Sequence, residues 1–103
     1  MLTRRYLLIK ILYDNAPTDQ QFHDALNTSV RTHFGDIGFS RIDPRIIKSD
    51  PSASTSIVSC DRSAVRELEA ALALITECGG TSVTVLVLAV SGTIKGLRKR
   101  RVR

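Results

Sequence analysis

The spacing of apolar side chains changes several times along the chain, and each change marks an element. Residues 4–13 (RRYLLIKILY) are rich in Leu, Ile and Tyr and stop at Asp14-Asn15-Ala16-Pro17. The run is too short for a packed helix, which predicts a strand. Leu7, Ile9, Ile11 and Tyr13 share one face, and the opposite row of Tyr6, Leu8, Lys10 and Leu12 is also largely apolar. Such a strand belongs inside a sheet covered, or nearly covered, on both sides. Thr18 and Gln21 then have the spacing of a capping box. Phe22, Ala25, Leu26, Ser29, Val30 and His33 follow at helical intervals, and Gly35 suits a left-handed helix end, so the first helix is expected over 18–34.

Residues 37–49 (IGFSRIDPRIIKS) read as a second strand, irregular at Asp43-Pro44 because proline removes a ladder donor. A turn at Asp50-Pro51-Ser52-Ala53 leads to a short third strand over 55–60. Asp61 is placed to cap a second helix whose stripe is Val65, Leu68, Leu72 and Ile75, with Gly79-Gly80 as its end. Residues 82–90 (SVTVLVLAV) give the clearest strand, with Val83, Val85, Val87 and Ala89 on one face and Thr84, Leu86, Leu88 and Val90 on the other. Ser91-Gly92-Thr93 breaks it, and residues 94–101 are expected to form a short basic helix with Thr93 as its cap.

The resulting order is the split βαβ, an α+β sandwich of the ferredoxin-like or RNA-recognition-like type, βαββαβ with an antiparallel sheet and a basic C-terminal helix. Right-handed crossovers place both longer helices on one face of the sheet. The opposite face then needs a covering partner or the terminal helix, since Leu8, Leu12 and one row of the last strand supply apolar side chains to it. The 103 residues predict a single domain, 1–103, of which 92–103 is the basic helix or tail.

Charge sharpens this picture. The formal net charge is +5, but residues 1–91 hold nine basic and ten acidic side chains, whereas residues 92–103 hold Lys95, Arg98, Lys99, Arg100, Arg101 and Arg103. A near-neutral body with a cationic end points to a polyanionic partner, either nucleic acid or an anionic membrane surface. No apolar run approaches the roughly 20 residues of a transmembrane helix, and no signal-peptide pattern is visible, so a soluble, cytoplasmic protein is expected. Cys60 and Cys78 are too few for a disulfide framework or a zinc site and read as reduced, partly buried thiols.

Catalysis by the chain itself finds little support. His23 and His33 lie ten residues apart on one helix, about 80° apart around its axis, and cannot make a close pair. Glu67 and Glu69 point apart on a helix, and no Walker loop, dinucleotide fingerprint or nucleophile elbow occurs. Six basic residues in twelve would neutralise several phosphates, and a helix starting at Thr93 turns N–H groups toward an anion. A reader of splayed single strands needs stacking aromatics on its central strands, but the third strand has none and the first only Tyr6 and Tyr13. Structured RNA, bound through backbone and shape, fits better.

The segment Ala89-Val90-Ser91-Gly92-Thr93-Ile94-Lys95-Gly96-Leu97-Arg98-Lys99-Arg100 resembles the strand-to-helix signature of the ribonuclease P protein component 2 family. Arg4-Arg5-Tyr6-Leu7 is similar to that family's opening strand. Pro44 to Lys48 with Thr55 to Val58 is similar to its central hairpin, and Asp61-Arg62 with Val65 to Leu68 and Ala71-Leu72 to the start of its second helix. The resemblance covers residues 4–101 and looks archaeal. It implies a non-catalytic protein subunit that binds and activates a catalytic RNA, the RNA that removes the 5′ leader of precursor tRNA. It also implies a TIM-barrel-like component 3 partner, in a heterotetramer with two copies of each. No cofactor is expected on the protein, and magnesium is expected at the RNA. The RNA contacts it implies are Arg4, Arg5, Thr93, Lys95, Arg98, Lys99, Arg100 and Arg101, with Lys48 and Arg62 as weaker candidates. Two alternatives stand beside it: a ribosomal or general structured-RNA-binding protein, and a ferredoxin-like interaction or regulatory module.

Overall fold

The computed structural model describes residues 3–100. Strand β1 spans Arg4–Tyr13 and is followed by helix α1, Asp19–Ile42. The capping box is formed: Gln21 N–H donates to Thr18 Oγ1 at 3.1 Å, and Thr18 N–H donates to Gln21 Oε1 at 2.9 Å. Gly35 breaks the helical path with φ 73° and ψ −179°, a backbone conformation essentially restricted to glycine. It does not end the helix. Residues 36–42 resume it, contrary to the expected strand from Ile37, and the left-handed C-cap lies at Asp43 (φ 50°), whose N–H donates to Phe39 O at 2.9 Å. The reason is packing: Phe39 and the fully buried Ile42 reach the main core from this second limb. The Arg31 guanidinium lies 4.2 Å from the Phe39 ring centroid and bridges the break by a cation–π contact.

Strand β2 is therefore shorter than expected, Arg45–Asp50, and pairs antiparallel with β3, Thr55–Asp61. Asp61 does cap, but it caps a 3₁₀ turn over Arg62–Ala64, accepting from Ser63 N–H at 3.0 Å. Helix α2, Val65–Ala73, begins only after that turn. It also ends before Gly79-Gly80. Ile75 and Cys78 are buried from an extended segment instead, and Glu77–Cys78 forms a two-residue strand, β4, that turns through the two glycines into β5, Thr81–Ser91. The sheet thus has five strands, ordered β2-β3-β1-β5-β4, rather than four. Helix α3, Ile94–Arg100, follows β5. Among the described residues, no helix is long and apolar enough to cross a membrane.

Both faces of the sheet are occupied. Leu7, Ile9 and Ile11 of β1, Val58 and Cys60 of β3, and Val83 and Val85 of β5 meet α1 and α2 in the main core. Ser29 ties the two helices together, its Oγ donating to Ala71 O at 2.7 Å. On the other face Leu8, Ile57 and Leu97 form a second cluster, flanked by Tyr6, Ala89 and Ile94. The β1–β5 register shifts at Leu8/Ile9, leaving Leu88 as an extra residue between Val87, opposite Ile9, and Ala89, opposite Leu8. Strict alternation along β5 therefore fails at its end: Ala89 joins the second cluster and Val90 packs on the main core. Cys60 and Cys78 are free and fully buried, not partly so.

Candidate nucleic-acid interface

The N-terminal end of β1 gathers Arg4, Arg5 and Arg62 among the sequence-predicted cations. Antiparallel register places Arg4 opposite Asp61 at the end of β3 and Tyr6 opposite Ser91 at the end of β5. Arg62 is fastened there as well, its N–H donating to Thr3 O at 2.9 Å. The start of α3, directly after β5, adds Thr93 and Lys95 at the same end.

Arg4 is turned inward. Its Nη1 donates to Asp43 Oδ2 at 2.7 Å, its Nη2 to Asp43 O at 2.7 Å and to Ser59 Oγ at 2.8 Å, and its Nε to Ser59 Oγ at 3.1 Å. Its side chain is 19% exposed. With Ser59 fully buried, this guanidinium serves the fold, fastening β1 to the α1–β2 corner. Arg5 is half-buried, donates from Nη1 to Arg4 O at 3.2 Å and lies beside Gly92. Arg62 and Lys95 are exposed. Lys48 is exposed but separate, opposite Ile57 on strand β2. Arg98, Lys99 and Arg100 close α3, and their side chains, like the whole of Arg101, lie outside the described residues.

Hydroxyl groups fix the start of α3. Thr93 Oγ1 accepts from Gly96 N–H at 3.0 Å, which is the expected cap, and Thr93 N–H donates to Ser91 Oγ at 3.3 Å. Leu97, 1% exposed, seats the helix against Leu8 and Ile57. Sequence reasoning passed over Ser91, Gly96 and Leu97 as site residues. The signal was a glycine and a single leucine inside a cationic run, where neither serves charge. Reasoning on charge alone also passed over Arg45, which sits at this end on β2 with Nη2 donating to Asp43 Oδ2 at 2.9 Å.

Two carboxylates, Asp61 and Glu67, are biased toward the ionised form. Hydrogen bonds from the Ser63 hydroxyl and then its backbone N–H keep Asp61 below the usual aspartate value, and the hydrogen bond from Arg41, at 2.8 Å, does the same for Glu67. Burial pushes the Cys60 thiol up to about 11 and that of Cys78 upward. Neither thiol is an available nucleophile. His23 and His33 are exposed on α1, His33 bonded through Nδ1 to Ser29 O at 2.8 Å. Among the described residues no group of three His, Cys, Asp or Glu could hold a metal ion.

Comparison with known proteins places the chain in a family. The Rpp14/Pop5 family matches over residues 5–102. The chain belongs to this family. Among its relatives, ribonuclease P protein component 2 of Pyrococcus furiosus is 33% identical over 98 residues, covering 94% of this chain and 81% of that protein. The Pyrococcus horikoshii protein of the same name is 35% identical over 96 residues, covering 93% and 80%. A Schizosaccharomyces pombe ribonuclease P/MRP protein subunit, POP5, is 33% identical over 107 residues, covering 88% of this chain and 77% of its own. One chain of a yeast ribonuclease MRP structure solved by cryo-electron microscopy shares the fold, with a TM-score of 0.72 at 13% identity, over 90% of this chain and 76% of that one.

Proposed function

We propose that this Rpp14/Pop5 member is a non-catalytic protein subunit of an archaeal ribonuclease P, binding and activating the RNA that cleaves the 5′ leader from precursor tRNA. The observation that carries this reading is the family match over residues 5–102, which takes in the sheet and the cationic terminal helix together. The geometry supports it in two ways. Helix α3 lies on the sheet face that an RNA-recognition domain uses to stack bases, so contact through the helix and phosphates is favoured over base stacking. The described thiols are buried, and Asp61 and Glu67 are held in hydrogen bonds with Ser63 and Arg41, which fits a subunit that leaves bond cleavage to the RNA; the proposal assigns the magnesium ions there too.

A protein partner belongs to the same proposal, namely the TIM-barrel-like component 3 subunit in a complex with two copies of each chain. Leu12, Leu86 and Leu88 support a protein contact, being 44%, 41% and 51% exposed. The cytoplasm is the proposed compartment.

The test is reconstitution of precursor-tRNA cleavage with a variant in which Lys95, Arg98, Lys99 and Arg100 are replaced by Gln. Cleavage is expected to fall, most steeply as salt rises or magnesium is lowered, while the circular-dichroism spectrum stays that of the parent chain. Unchanged cleavage across the salt and magnesium range would overturn the proposal.

A further inference from the structure

Helix α3 has only seven residues, and Lys95 and Lys99 stand one turn apart as like charges. So short a helix does not hold itself in water, and its direction must come from what it touches. A glycine at position 96, inside so marginal a helix, is costly unless space demands it. That space is taken. A Cβ on Gly96 would overlap Ser91 Oγ, the turnable tip of its side chain, and would lie 3.1 Å from Thr93 Oγ1 and 3.2 Å from Ser91 Cβ, so either the Ser91 hydroxyl turns away from Thr93 N–H or the helix shifts. The same Ser91 Oγ accepts from Thr93 N–H, and Thr93 Oγ1 accepts from Gly96 N–H, so the two hydroxyls and the bare glycine close on one another. One residue further on, Leu97 is seated against Leu8 and Ile57.

We infer that Ser91 and Gly96 are positioning residues for RNA contact: their close approach sets the angle at which α3 leaves β5, and thereby where its cationic residues meet phosphate. The inference rests on the RNA-binding reading above, adding residues that carry no charge. Alanine at position 96 would improve helix propensity, so propensity and the clasp predict opposite signs for one substitution.

The experiment uses the full chain as Gly96→Ala and as the double variant Ser91→Ala/Gly96→Ala, each retaining every Lys and Arg. Binding to ribonuclease P RNA is measured from low to moderate salt, and the Leu97–Leu8 methyl contact is followed by NMR. Gly96→Ala is expected to weaken binding by roughly tenfold at low salt and to flatten the dependence of log K on log salt, because fewer phosphates are neutralised at once. It is also expected to lose the Leu97–Leu8 contact. Removing the obstructing hydroxyl in the double variant should restore the contact and bring affinity back to within about threefold of the parent, a rescue that general destabilisation would not give. Parental affinity, salt slope and methyl contact in Gly96→Ala would overturn the inference, as would a double variant no better than the single. Failure of the parent chain to bind the RNA would overturn the RNA-binding reading and this inference with it, an outcome recognised without any variant.

Discussion

The Arg4 guanidinium donates to Asp43 and Ser59 across 39 and 55 residues of chain, and such a partner is not readable from charge pattern. The family resemblance implies Arg4 as an RNA contact beside Arg5, and nothing in the sequence signals these two partners. Removal of Arg4 strands the buried Ser59 hydroxyl and leaves Asp43 to Arg45 alone, so Arg4→Ala should lower unfolding free energy by about 2 kcal/mol in urea titrations. Lysine should recover little, since one ammonium cannot serve acceptors arranged for a planar fork. A second residue-scale expectation concerns the thiols. Cys60 and Cys78 should resist iodoacetamide at pH 8 in the folded protein and both react once it is unfolded. The Cys60 value is raised from 9.0 to about 11, so the folded state favours the protonated thiol. That contribution is fully present below pH 9 and is lost as pH rises toward 11. Asp61 and Glu67 run the other way. Their folded values are lowered, so their contribution is present above the ordinary 3.8 and 4.5 and is lost as pH falls below them.

At the scale of elements, Gly35 and Leu97 are the informative positions. Gly35→Ala places a side chain at φ 73° with nothing to clash against, so its cost is backbone strain alone, about 1–3 kcal/mol by thermal melting despite the helix propensity of alanine. Leu97→Ala removes the side chain that seats α3, and truncations of this kind cost about 2–5 kcal/mol. Amide exchange over 94–100 should then accelerate while that of β1 stays slow. These positions also mark what the sequence disclosed. The capping box at Thr18, the cap at Thr93 and the two-sided apolar pattern of β1 are local chemistry and were legible. The helical limb at 36–42 and the early end of α2 were not, because tertiary burial of Phe39, Ile42, Ile75 and Cys78 decides them. In β5 the apolar pattern was visible, but the bulge at Leu88 was not, since register depends on the strand opposite.

For the whole molecule, the two-sided sheet ties solubility to the terminal helix. Deleting residues 92–103 would uncover Leu8 and Ile57 on the sheet face that already exposes Leu12 and Leu86, enlarging its apolar area. Sedimentation should show this truncated chain self-associating at concentrations where the parent stays monodisperse. The basic end was legible as charge, while its seating on the sheet was not, because Leu97 meets Leu8 across nearly the full chain. The position of β1 between β3 and β5 has a consequence in time. Tyr6 pairs with Ser91, so the first strand made receives its last neighbour only when the final strand has been synthesised. The ledge that seats α3 is built from Leu8 and Ile57, one from each member of the β1–β3 pair, and its helix hangs from the end of β5. A chain whose sheet is incomplete therefore has nowhere to fix its cationic helix, and productive encounter with a polyanion becomes a late event that reports on finished folding.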